Sequence, residues 1–203
     1  MRLFHSPTTP FGRKVMVLIL ETGLRDTVAV EGATGTPLTP GTMPVALNPL
    51  GKIPALELAD GRVIYDSRVI CRYLDDLTGG TLYPAKPVLW DTLTLEATAD
   101  GIMDAGILMA YETRLRPEDR RFPDWIEGQW AKVDRALEAI EANWMSHLSG
   151  PFDMAQVAVG CALAYLDMRH DARNWRHGRP KLAEWEAGFA ARPSMQATKP
   201  PLQ

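Results

Sequence analysis

Three short segments of this 203-residue chain carry residue types that can hold and activate a small polar molecule. The first is Ser6-Pro7-Thr8-Thr9-Pro10-Phe11-Gly12-Arg13-Lys14, lying between a strand pattern and an apolar helical one. Pro10 suits the first helical position, where its missing N–H costs nothing, and this puts Thr9 at the N-cap. A helix N-terminus offers unpaired N–H groups and about half a positive charge, so it favours an anion. The Thr9 hydroxyl then either gives one more hydrogen bond to that anion or turns inward and caps its own helix.

The second segment, Asn48-Pro49-Leu50-Gly51-Lys52-Ile53-Pro54-Ala55-Leu56, sets a proline just before a strand. Proline cannot donate to a ladder, so Pro54 belongs at an edge or bend. With a cis Ile53-Pro54 bond, the Ile53 N–H and C=O face outward and can pair with an extended peptide; with a trans bond, Pro54 only marks a strand entrance. In the third segment, Tyr65-Asp66-Ser67, the Ser67 hydroxyl and N–H at a helix start can bind a carboxylate while Asp66 takes an ammonium. An amino acid presents both groups on one carbon. Capping of the helix by either residue is the alternative.

The elements that must position these residues follow from periodicity. Arg2 to His5 reads as a strand, Pro10 to Thr22 as a helix and Thr27 to Glu31 as a strand. Ala55 to Leu58 and Arg62 to Tyr65 form a hairpin around Asp60-Gly61, and Ser67 to Leu77 a helix. A βαβ unit needs a right-handed parallel crossover and the Asp-Gly turn adds an antiparallel pair, so the predicted product is a mixed four-stranded sheet with helices on it. Apolar residues surround much of the first helix, which therefore needs a second cover. Residues 78–87 hold two Gly and two Pro without periodicity and read as a linker.

From Val88 onward the pattern is helical. Ile126, Trp130, Val133, Leu137, Ile140 and Trp144 form one apolar stripe, and helices are expected at Val88–Arg114, Met154–His170 and Pro180–Ala191. Asp153 is placed to cap the 154–170 helix, with Gln156 reaching back and Phe152 stapling to Val157. Asp100 and Asp104 share a face one turn apart. Gly101, Ala105 and Gly106 beside them allow another helix to come close, as at a dimer interface.

The 22 Lys and Arg stand against 25 Asp and Glu, a net charge of -3 with no basic run, which argues against nucleic acid as a partner. The apolar stretch from Val15 to Leu20 is too short to span a bilayer, and Met1 to Ser6 reads as a strand start rather than a leader. A cytoplasmic, reducing location is the expectation. Cys71 and Cys161 are the two cysteines, far apart in helical patterns, so no disulfide or metal site is expected.

The opening Thr9–Val15 segment, Asn48–Leu56, the Asp66–Leu74 helix and the closing Ala191–Pro201 tail, in this order, resemble the glutathione S-transferase superfamily over essentially the whole chain. The segment Ala99–Gly106 resembles in particular the bacterial YibF-type branch. The resemblance implies an α/β thioredoxin-like N-terminal domain (1–77, βαβ-ββα) for glutathione, the linker 78–87, and an all-helical domain (88–203) that shapes the second-substrate pocket. It also implies a homodimer, glutathione as co-substrate and no metal.

By that resemblance Pro54 is cis, Ile53 pairs with the cysteinyl backbone of glutathione, Asp66 and Ser67 hold its γ-glutamyl end, and Asn48 and Lys52 lie near the tripeptide. The thiol-activating position corresponds to Thr9. No Tyr or Cys precedes Tyr65, which excludes a tyrosine-type or mixed-disulfide mechanism there. The expected chemistry is ionisation of the bound thiol at the first helix N-terminus and attack on a small apolar electrophile. Lowering a thiol pKa from about 8.5 toward 7 is worth ~2 kcal/mol. The electrophile is expected near Phe11, Gly12, Met103 and Ile107, with Asp100 reaching the glutathione amine. A glutathione-binding stress or interaction protein with little turnover is the competing expectation.

Overall fold

The computed structural model describes residues 1–201 and divides into two compact units, Met1–Pro84 together with the chain from Pro193 onward, and Ala85–Arg192. In the first unit, β1 (Arg2–His5), α1 (Pro10–Glu21), β2 (Ala29–Gly32), β3 (Ala55–Glu57), β4 (Val63–Ile64) and α2 (Ser67–Leu77) follow one another along the chain. The sheet order is β2-β1-β3-β4, with β1 parallel to β2 and antiparallel to β3, and β3 antiparallel to β4. Leu3 and Leu56 are fully buried, as are Val15, Val17, Leu18 and Ile19 of α1 and Ile70 and Leu74 of α2.

Strand boundaries differ from the sequence expectation in two regions, around β2 and in the β3–β4 hairpin. Thr27 and Val28 both donate to the Leu24 carbonyl, so the turn that ends α1 holds them and β2 starts at Ala29. In the hairpin, Gly61 donates to the Leu58 carbonyl at positive φ (85°) and Leu58 donates to Arg62, a reversal closed by a glycine bulge that shortens both strands. The Asp60 carboxylate secures it by accepting from the Arg62 N–H at 3.0 Å.

The second cover of α1 comes from the end of the chain. The short α8 (Pro193–Ala197) packs on α1, where buried Arg13 donates to the Met195 carbonyl (2.9 Å) and to the Thr198 hydroxyl (3.3 Å), and Ser194 bonds Glu21. Residues 193–201 therefore cluster with the sheet, where α1 offers them the buried Arg13 guanidinium. The linker is likewise not free. The buried Asp75 carboxylate of α2 accepts from the N–H groups of Thr81, Leu82 and Tyr83.

The second unit is all-helical: α3 (Val88–Arg114), α4 (Pro123–Asn143), a single turn α5 (Met145–Leu148), α6 (Met154–His170) and α7 (Pro180–Ala190). Val133, Leu137 and Ile140 form the buried centre of the α4 stripe, while Ile126, Trp130 and Trp144 at its ends are part-exposed. Asp153 caps α6 as expected, accepting from Ala155 and Gln156 N–H groups. Gln156 departs from expectation: its Nε2 donates to loop carbonyls, including Leu148 at 3.0 Å, instead of reaching back to the cap. The small residue at 106 also has an intrachain explanation, because a Cβ there would meet the Tyr165 ring of α6 at 3.1 Å.

Candidate functional site at one end of the sheet

The strand registers bring the three candidate segments to one place. β1 and β3 pair Phe4 with Ala55, and β3 and β4 pair Leu56 with Ile64. Extending each ladder in register sets His5 beside Pro54 and Pro54 beside Asp66. The β1-to-α1 turn, the entrance to β3 and the start of α2 therefore share one sheet end, where each chain reversal leaves backbone groups outside the ladder.

Thr9 occupies the N-cap of α1 in extended conformation (φ -94°, ψ 114°), yet its side chain makes no capping hydrogen bond. The helix begins with the Arg13 N–H donating to the Thr9 carbonyl at 2.9 Å, so the Phe11 and Gly12 N–H groups precede the first intrahelical bond. The hydroxyl is not spent on its own helix, and the simple capping alternative is removed. Phe11, two residues beyond Thr9, is half-buried.

The Ile53-Pro54 peptide bond is cis. Ile53 lies outside β3, and no backbone hydrogen bond among the described residues uses its N–H or C=O, while its side chain packs with Phe4 and Ala55. Asn48, almost fully buried, shapes this loop: its Nδ2 donates to the Lys52 carbonyl (2.8 Å) and its Oδ1 accepts from Leu50 N–H (3.1 Å). Gly51 supplies the positive φ (59°) that the turn requires. Asn48 thus acts on the loop, and Lys52, exposed, carries its ammonium there.

At the third segment, Asp66 is the N-cap of α2, accepting from the Arg68 N–H at 3.0 Å, and its carboxylate is paired with the Arg68 guanidinium at 2.8 Å. Partial burial works to raise its pKa, but the Arg68 hydrogen bonds and charge, with a contribution from Lys14 of α1, hold it below the usual carboxylate range. Ser67 is buried at the first helical position. The remaining two candidates, Asp100 (buried) and Met103 (fully buried), lie on α3 in the second unit.

Sequence reasoning missed His5. It ends β1 with 8 % of its surface exposed, and burial pushes its imidazole down to about 4, so the ring is neutral. Its Nδ1 has no hydrogen-bond partner and lies against Gly12, where a Cβ would stand 2.2 Å away. The only signal in the sequence was a histidine ending a strand with a glycine in the first turn of the following helix. Among the described residues no cluster of three or more His, Cys, Asp or Glu could hold a metal ion, and no helix is long and apolar enough to cross a membrane.

A β-α-β-β-α unit of this strand order is a thioredoxin-like fold, here combined with an all-helical bundle. Comparison with known proteins agrees: residues 8–77 match the glutathione S-transferase N-terminal domain and residues 123–188 the C-terminal domain. The chain belongs to the glutathione S-transferase superfamily. It is 31% identical over 207 residues to the uncharacterized GST-like protein YibF of Escherichia coli K12, covering 99% of both chains.

Among solved structures it is similar to a glutathione transferase family member from Pseudomonas fluorescens Pf-5 with bound glutathione. That likeness has a TM-score of 0.96 and 47% identity, over 98% of each chain. The structure of a Pseudomonas fluorescens Pf-5 family member with bound S-(propanoic acid)-glutathione gives a TM-score of 0.92 and 46% identity, over 99% of this chain and 100% of that one.

Proposed function

We propose that this protein binds glutathione at the shared sheet end and joins its thiolate to a small apolar electrophile. The observation that carries the reading is the Thr9 hydroxyl, left out of capping at a helix start whose first N–H groups are also unpaired. In this reading the Ile53 N–H and C=O pair with the cysteinyl backbone of glutathione. Ser67 and the α2 N-terminus take the γ-glutamyl carboxylate, Asp66 faces its ammonium, and Lys52 lies near the tripeptide with Asn48 holding the loop in shape. Phe11, half-buried beside the α1 N-terminus, is the apolar side chain given to the electrophile.

The thiol proton leaves to solvent, the Thr9 hydroxyl donates to the sulfur, and the α1 N-terminus stabilises its negative charge. The sulfur electron pair then forms a bond to the electrophilic carbon as the leaving group departs. No general base is needed once the thiol ionises near neutral pH. Relatives with bound glutathione, and one with an S-substituted glutathione that has the form of a conjugation product, support both halves of this reading. Kinship with the YibF-type branch, a homodimer and a cytoplasmic setting belong to the same proposal.

Isothermal titration with glutathione beside a conjugation assay on an activated aryl halide tests it. Binding together with turnover is expected, and Thr9→Ala should keep the binding and lose at least tenfold in turnover. Binding with no turnover in the wild type supports instead a glutathione-binding protein without transferase chemistry.

A further inference from the structure

His5 is a buried polar side chain that the fold goes out of its way to seat. A glycine in the first turn of a helix costs stability relative to alanine, yet any side chain at position 12 would collide with the His5 ring, at 2.2 Å from Nδ1 and 3.0 Å from Cε1. The exchange leaves one imidazole nitrogen without a hydrogen-bond partner among the described residues. Buried polar atoms are satisfied in the great majority of cases, and an exception asks for a ligand or a function. This one lies against the turn that carries the Phe11 and Gly12 N–H groups, beside Pro54 in the extended β1–β3 register and four residues before Thr9.

We propose that His5 is a hydrogen-bonding residue of the thiol site, its Nδ1–H donating to the sulfur of glutathione bound at the first turn of α1. This rests on glutathione being the ligand of that site. Desolvation alone keeps the ring neutral, with no neighbouring charge contributing, so it gives a hydrogen bond without adding or removing a proton. A neutral imidazole of such low basicity is a poor base for a thiol, which makes it a donor that steadies the thiolate. Next to the positive end of a helix, a bound thiolate favours the tautomer with the proton on Nδ1.

The test compares glutathione with S-methylglutathione, which occupies the same place but has no ionisable thiol. In His5→Phe, which keeps a ring against Gly12, the affinity for S-methylglutathione should stay within about twofold of wild type. The pKa of bound glutathione, followed by thiolate absorbance near 240 nm, should rise by about one pH unit, and kcat/KM should fall about tenfold at neutral pH. His5→Gln, which retains an N–H donor, should recover part of the loss.

A measurement on the unmodified protein guards against a variant that does not fold. In wild type labelled with [15N]histidine, glutathione should move the His5 Nδ1 resonance into the protonated range, and S-methylglutathione should not. An unchanged thiol pKa in a folded His5→Phe variant, or a His5 resonance indifferent to glutathione, overturns the assignment. A wild type that binds neither compound overturns the reading of the site itself.

Discussion

The starts of α1 and α6 are both well-specified helix N-termini, and they differ in what is left over. At α6 the Asp153 carboxylate is fully engaged: Oδ1 accepts from Ala155 and Gln156, and Oδ2 from Thr92 Oγ1 at 2.7 Å with His147 Nε2 at 2.7 Å. Gln156 ties down the incoming loop as well. At α1 the N-cap hydroxyl serves no cap and a neighbouring imidazole nitrogen has no partner. The first is a folding device whose groups are all engaged; the second keeps hydrogen-bonding capacity that no group among the described residues uses.

The contrast can be broken in order of expected effect. Asp153→Ala should remove about 3 kcal/mol from the unfolding free energy in urea, because it deletes the cap and strands Thr92 and His147. Glutathione affinity of the folded protein should not change. A comparable effect comes from acid. His5 takes up its proton at about 4 in the folded chain against 6.5 unfolded, so between those values the unfolded state binds more protons and stability falls as pH falls. The loss reaches up to about 3 kcal/mol near pH 4, and His5→Phe should flatten that part of the pH–stability curve.

Gly12→Ala should cost about 2 kcal/mol through its collision with the imidazole. Most of that should return in the double variant Gly12→Ala with His5→Ala, a coupling read from a double-mutant cycle. The smallest effect is the most informative for the comparison. Thr9→Ala should alter stability by less than about 0.5 kcal/mol, since no cap is lost, in contrast to the usual N-cap substitution. A loss above about 1 kcal/mol would mean that the Thr9 hydroxyl caps α1 after all.

Much of this was legible in the sequence where local signals are strong. Asp66 before Ser67 and Asp153 before Met154 announced the starts of α2 and α6, and Val88–Arg114 was read to its ends. The site segments were legible too, because proline, glycine and capping residues state their backbone requirements in place. What escaped depends on long-range contacts. Nothing near Thr27 says that the Leu24 carbonyl will hold it out of β2, and nothing in the tail says that Met195 and Thr198 will meet Arg13. His5 escaped for the same reason: its environment is made by a glycine seven residues away and by the fold of the turn between them. Gln156 obeyed the capping pattern in sequence and was drawn off by carbonyls that only the folded loop assembles.

Whether glutathione is held at the shared sheet end is tested most directly by backbone amide NMR of the 15N-labelled protein. Titration with glutathione should shift the amides of Thr9, Phe11, Gly12, Ile53, Asp66 and Ser67, and leave those of Asp153 to Gln156 at the start of α6 unmoved. Shifts concentrated elsewhere, or none with glutathione at millimolar concentration, would contradict binding at that sheet end.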